Sequence, residues 1–277
     1  FLHDLPSKSY PAKPGFSGHE CVAIVEDAPA SSDFVRGQRV LALAPDYDAF
    51  AEYLVARPET LISLPDALTT EQAVLAQQLG TVLFCFQKMP SVLGRNVTVV
   101  GQGPAGLFFT MMCSRMGAAT VTGIDIVDHR LTLAGSLGAT CVANSEREDV
   151  EAVVRTHTQG KMADVVIEAV GKTSTINLCA ALVRSGGDVV IFGVPKHEYI
   201  PMQLEYFMRK NARIVTSVFA QREPGLRSFR LALKVIADGR LDPTPLVSHR
   251  LPFSEAPKGF ALAQTKEDGA VKILLGL

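Results

Sequence analysis

The residues best placed to do chemistry are a run of glycines behind an apolar, β-branched stretch: Val97-Thr98-Val99-Val100-Gly101-Gln102-Gly103-Pro104-Ala105-Gly106. Glycines at this G-x-G-x-x-G spacing, between a strand and a helix, form a turn that cradles the pyrophosphate of a dinucleotide. Gly101 permits the tight turn out of the strand, Gly103 lets the backbone approach a phosphate, and Gly106 lets the helix pack on the strand. Free N–H groups and a partial positive charge at the helix start would hold the phosphates, which brings Gln102, Pro104 and Ala105 into the site. Asp125 lies 19 residues beyond Gly106, at the end of the next apolar run, where a carboxylate can accept hydrogen bonds from adenosine ribose hydroxyls. A carboxylate there repels a 2′-phosphate, so NAD is expected rather than NADP. Ile126 adjoins it, and Arg130 follows in the next turn and helix, where its charge favours NADP in principle but weighs less than Asp125.

Two later strand ends carry glycines of their own, Glu168-Ala169-Val170-Gly171 and Phe192-Gly193-Val194-Pro195. Cofactors bind at the carboxyl ends of parallel strands. Ala169, Val170, Gly171, Phe192, Gly193 and Val194 are therefore candidate contacts for the nicotinamide half, although ordinary strand-to-helix turns have the same composition. A third grouping is Gly18-His19-Glu20 in an apolar neighbourhood. His19 is a candidate zinc ligand with Glu20 as ligand or neighbour, although a His beside a Glu is more often a surface pair or a satisfied hydrogen bonder. Gln77-Gln78 near a helix start needs no special explanation by itself.

The elements that must position these residues are legible as alternation. Thr69-Thr70-Glu71-Gln72 offers a cap before the apolar run 73–86. From there, strands at 97–100, 120–124, 140–143, 163–168 and 188–192 alternate with helices at 105–116, 130–137, 150–156 and 173–183. That pattern specifies a parallel sheet wound on both faces, an α/β fold. Residues 1–65 read instead as short strands, at 21–26, 39–43 and 50–55, punctuated by Pro11, Pro14, Gly15, Gly18 and Gly37. A helix over 226–238 and short strands near 248–251 and 270–275 close the chain. Strand 188–192 is expected near a sheet edge, available for pairing.

With 277 residues, two domains are expected. The formal net charge of -1, with no long run of one sign, argues against nucleic-acid and membrane-surface partners, which need a basic patch. Five scattered cysteines without a C-x-x-C pair read as reduced thiols in a cytoplasmic protein. The chain opens on Phe1 with no methionine, so a preceding segment is expected.

In order along the chain, PGFSGHE (14–20), VRGQRV (35–40), FAEYLV (50–55), VVGQGPAGL (99–107), GIDIVDHRLTLAGSLGA (123–139), DVVIEAVG (164–171) and GGDVVIFGVP (186–195) together resemble the medium-chain dehydrogenase/reductase superfamily, in its zinc-type alcohol and polyol dehydrogenase branch. The resemblance implies a Rossmann NAD-binding domain at 76–220 and a GroES-like, mainly-β catalytic domain from 1–75 and 221–277. It implies that His19 and Glu20 are catalytic and bind zinc. The family's acidic ligand falls at Gln77, whose amide oxygen would be the weaker third donor, and the cysteine used by other members falls at Thr81. The family's first cysteine ligand falls upstream of Phe1. Because 40–50 holds no cysteine, no structural zinc is expected beside the catalytic one.

The resulting expectation is NAD-dependent, zinc-assisted, reversible oxidation of a secondary alcohol or polyol, a small-molecule substrate, by a homodimer or homotetramer. Two alternatives stand beside it. One is a zinc-free NADPH-dependent quinone or enoyl reductase of the same superfamily; the other is a non-catalytic NAD-binding sensor.

Overall fold

The β-branched runs that read as buried strands form the centre of a six-stranded sheet. In the computed structural model, residues 18–44, 48–195 and 197–277 are described. The sheet comprises β4 (Asn96–Val100), β5 (Thr120–Asp125), β6 (Cys141–Asn144), β7 (Ala163–Glu168), β8 (Val183–Ile191) and β9 (Arg213–Thr216). Its order is β6-β5-β4-β7-β8-β9, and every neighbouring pair is parallel. Parallel neighbours need crossovers, supplied by α2 (Pro104–Arg115), α3 (Asp128–Ser136), α4 (Val150–His157), α5 (Thr173–Leu182) and α6 (Leu204–Arg209). The chain starts at β4, runs outward to β6, then returns to the other side of β4 at β7. The strand order therefore reverses between β4 and β7, where ligands of doubly wound sheets bind. Val97, Val99, Val165, Val166 and Ile167 are buried, each contributing roughly 1.5–3 kcal/mol on removal from water.

The chain divides into two compact units, one from Phe1–Phe84, Phe219–Ala261 and Lys272–Leu277, the other from Cys85–Val218 and Leu262–Val271. The first contains the antiparallel sheet of β1 (Cys21–Ile24), β2 (Arg39–Ala42) and β3 (Leu61–Ser63). It also contains the parallel pair β10 (Val247–Pro252) and β11 (Lys272–Gly276). Helix α1 (Thr70–Phe86) begins at the capping box read from the sequence: the Gln72 N–H donates to Thr69 Oγ1 at 3.2 Å, and the Thr69 N–H donates to Gln72 Oε1 at 3.1 Å. Gly80 lets α1 touch α7 (Arg227–Ala237), because a Cβ at Gly80 would lie 2.9 Å from Phe229 Cα. The remaining helix, α8, spans Ala256–Thr265.

Three expectations are corrected. Residues 50–55 form no strand: 50–52 are a bend, and Tyr53 and Val55 are exposed. An apolar, aromatic-rich run makes a strand only where a neighbour supplies the ladder. Strand β8 is longer than expected and, though next to the sheet edge, is not available for pairing, since β9 pairs outside it with Asp188 opposite Arg213 and Ile191 opposite Thr216. Finally, β3, α6, β9 and α8 lie outside the expected elements; β9 is short and mostly exposed, so it lacks the apolar signature of a buried strand.

Candidate cofactor site

The glycine turn is built as its spacing demands, and each glycine has a different reason. Gly101 leaves β4 at φ +92°, and its N–H donates to Ile124 O at 2.7 Å. A Cβ on Gly106 would overlap Gly101 O and lie 2.8 Å from Gly101 C, so helix and turn could not pack. Gly103 is the instructive case. Its φ is -67°, open to any residue, and the nearest atom to an added Cβ is Arg130 Nη1 at 3.7 Å. Nothing among the described residues requires glycine there, whereas a phosphate drawn up to the backbone would. Gly103 is the N-cap of α2, Pro104 sits in its first turn, and no side chain caps that end. The orphan N–H groups are thus left for an anion.

Asp125 ends β5 beside this turn. Its Oδ2 accepts from the Gln102 N–H at 2.5 Å, and its Oδ1 from the N–H groups of Ile126 and Val127 at 2.8 and 3.0 Å. These bonds fix the carboxylate, and a carboxylate has about four acceptor positions, so one is left over. Gln102 gives no side chain to a ligand. It is fully buried, donating from Nε2 to Val99 O at 3.0 Å and accepting from Thr110 Oγ1 at 2.8 Å. Arg130 Nη2 donates to Ala270 O at 3.1 Å, and His129 Nε2 lies 3.3 Å from the same carbonyl. Burial pulls the Arg130 guanidinium below its ordinary pKa while nearby Asp125 opposes the shift. Ile126 is partly exposed at the mouth of the turn.

The two later strand ends lie on the same sheet edge. The Ala169 N–H donates to Val100 O at 2.8 Å, tying this loop to β4, and Val170 Cγ2 occupies the space a Cβ on Gly101 would need. Val170 and Val194 are exposed by 39% and 47%, enough for both to face a ligand. Phe192 packs edge-on against Phe109, with ring centroids 4.9 Å apart. Beneath these loops lies Glu168, a buried carboxylate absent from the residues read as functional. Its signal in the sequence is an acid closing the buried apolar run Val165-Val166-Ile167.

In the first unit, His19 Nε2 is 4.0 Å from Glu20 Oε1, and Glu20 Oε2 accepts from Lys272 Nζ. Burial works to raise the Glu20 carboxyl, but the charges of Lys272 and His19 outweigh it and hold the group below its ordinary value. Gln77 is buried in α1 at 4% exposure, and Gln78 Oε1 is buried without a hydrogen-bond partner. The Thr81 hydroxyl turns back to donate to Gln78 O at 2.7 Å. Zinc sites use three or four protein ligands. Among the described residues no three His, Cys, Asp or Glu side chains group to hold a metal, and the Glu20 carboxylate is already neutralised by Lys272. The described residues thus supply part of a zinc donor set and do not complete one.

A family model described as zinc-binding dehydrogenase matches residues 104–238. An L-threonine 3-dehydrogenase of Caldanaerobacter subterraneus subsp. tengcongensis is 30% identical over 240 residues, covering 84% of this chain and 67% of its own. A sorbitol dehydrogenase of Bacillus subtilis is 24% identical, over 95% of this chain and 81% of its own. Among solved structures, an alcohol dehydrogenase from Thermus sp. ATN1 superposes with a TM-score of 0.83 at 29% identity, covering 94% of this chain and 83% of that one. The chain belongs to the zinc-binding dehydrogenase family, within the medium-chain dehydrogenase/reductase superfamily. It spans 64%, 67% and 63% of the lengths of the first curated relatives it matches.

Proposed function

We propose that the protein is a dehydrogenase that uses NAD to oxidise a secondary alcohol or polyol reversibly to the carbonyl. The observation that carries the cofactor assignment is Gly103, a glycine with ordinary backbone angles and open space above it, placed between an uncapped helix start and the fixed carboxylate of Asp125. The substrate class rests on the relatives: threonine carries a secondary hydroxyl, and sorbitol is a polyol. Residues 76–220 are proposed as the NAD-binding domain, and 1–75 with 221–277 as the catalytic domain. A homodimer or homotetramer is proposed as the assembly.

The work of this chain's residues divides as follows. The N–H groups at the start of α2 bind the pyrophosphate, and Asp125 accepts from an adenosine ribose hydroxyl while repelling a 2′-phosphate. Val170, Val194 and Phe192 offer apolar surface to the nicotinamide end, excluding water from it. Bound NAD supplies a hydride acceptor. His19 is the proposed zinc donor, with Glu20 and Gln77 as oxygen donors beside it.

The deciding experiment measures initial rates with a panel of secondary alcohols and polyols, offering NAD and NADP in parallel, with metal content determined on the same preparation. Turnover with NAD well above NADP supports the proposal. Reduction of activated double bonds by NADPH, with no alcohol oxidised, replaces it with the reductase reading. NAD binding without turnover of any alcohol or ketone replaces it with the sensor reading.

A further inference from the structure

We infer that Glu168 is a positioning residue that clamps the loops receiving the nicotinamide half of the cofactor, an inference that rests on the NAD reading above. Glu168 is the last residue of β7, beside the point where the strand order reverses. It is fully buried, and its partners are dipoles rather than a cation. Its Oε1 accepts from the Val170 N–H at 3.0 Å, the Gly171 N–H at 2.9 Å and the Thr175 hydroxyl at 2.6 Å; Oε2 is 3.1 Å from the Gly171 nitrogen. Its main-chain oxygen accepts from Phe192 and Gly193, each at 2.9 Å. One residue therefore holds the loop after β7 through its side chain and the loop after β8 through its backbone.

The glycines show how closely the two loops are drawn together. A Cβ on Gly193 would lie 2.5 Å from Glu168 Oε2, and one on Gly171 would lie 2.8 Å from Val194 C. The same loop presses Val170 against Gly101, so the contacts run unbroken from the carboxylate to the phosphate turn. A buried carboxylate is costly unless every oxygen is satisfied, and an apolar residue would fill this space more cheaply if filling were its only task. The cost falls where two loops present Val170 and Val194 outward at the sheet edge. Clamped from beneath, those side chains cannot adjust when a flat ring arrives, so their spacing is set in advance.

The test is isothermal titration of the full chain with NADH and with ADP-ribose, which lacks the nicotinamide. Glu168→Gln keeps the shape but turns an amide NH₂ towards groups that are themselves donors. NADH affinity should fall about tenfold while ADP-ribose affinity stays within about twofold. Equal loss for both ligands, or no loss for either, overturns the clamp. Thr175→Val removes one donor from the carboxylate and should show the same selective loss at about threefold, which decides the matter if Glu168→Gln does not fold. Wild-type protein that binds neither ligand overturns the NAD reading, and the clamp with it; wild-type binding with unselective variants overturns the clamp alone.

Discussion

Replacing Gly103 with alanine separates the cofactor's need for that glycine from the protein's own. The added methyl meets nothing nearer than Arg130 Nη1 at 3.7 Å, and the backbone at φ -67° accepts alanine without strain. Alanine is a poorer N-cap than glycine by about 0.5–1 kcal/mol, but it stiffens the unfolded chain by a similar amount. Net stability should therefore change by less than about 1 kcal/mol, a shift in melting temperature below about 4 °C. Binding should behave differently. The methyl stands where a phosphate oxygen would meet the helix N–H groups, and losing one charge-assisted hydrogen bond costs about 1.5–3 kcal/mol, or about tenfold to a hundredfold in affinity. Fluorescence titration with NADH beside a thermal melt reads both quantities on one sample. An unchanged NADH affinity would refute the argument, because it would mean no ligand approaches Gly103 closely. A large loss of stability would refute it from the other side, by making the glycine a requirement of the fold.

Other outcomes follow from the same geometry. Asp125→Ser should move the NAD-to-NADP affinity ratio at least about tenfold towards NADP, measured by competitive titration, since Arg130 then stands beside the ribose without an opposing carboxylate; an unmoved ratio removes Asp125 from the specificity argument. Gly80→Ala should cost about 1–3 kcal/mol in denaturant unfolding, because α1 and α7 touch there and the added carbon would overlap the Phe229 ring; a neutral result would show that the helices can separate freely. Asp164 accepts from Arg184 Nε at 2.6 Å and from the Asn96 N–H at 2.8 Å. Burial raises its pKa, but the Arg184 and Asn96 hydrogen bonds with the nearby arginine charges outweigh burial and leave it lowered. A lowered folded pKa stabilises the protein above the unfolded value and loses that contribution as pH falls through the folded one. Asp164→Asn should accordingly cost about 1 kcal/mol near neutral pH, with the difference from wild type closing as pH drops below the ordinary aspartate range. A pH-independent difference in melting temperature would show that the charge is not what matters.

How much of this was legible in the sequence depended on whether a residue's role was local. The alternation of apolar strands with helices locates the central sheet, and β7 has the expected bounds Ala163 and Glu168, because its centre, Val165-Val166-Ile167, is the buried apolar run that a parallel strand covered on both faces requires. The glycine turn was legible because its spacing is itself the mechanism. Strand β9 was not: its place depends on pairing with β8, and only one of its four residues is even half-buried. Residues 50–55 differ the other way: they have the composition of a strand but no neighbour to pair with among the described residues. The glycine spacing places Gln102 in the turn but says nothing of its side chain, which the Val99 carbonyl and the Thr110 hydroxyl hold inward. Lys272 escaped notice, being 252 residues from the Glu20 it neutralises.

That separation bears on the order in which the molecule is made. Strands β4 to β9 lie within Cys85–Val218 and leave the ribosome with their crossovers in sequence, so the sheet of this unit can gather its core during synthesis, with only Leu262–Val271 to follow. The first unit cannot keep pace. Glu20 emerges early, yet its ammonium arrives with Lys272, and β10 waits for β11, its parallel neighbour beginning at the same residue. A nascent chain halted before Lys272 should be cut readily by protease within residues 18–84 while the strands of the middle unit resist; equal resistance in both would show that the early segment folds without its late partner. Strand β11, which β10 and Glu20 both wait for, is made only after every strand of the middle sheet.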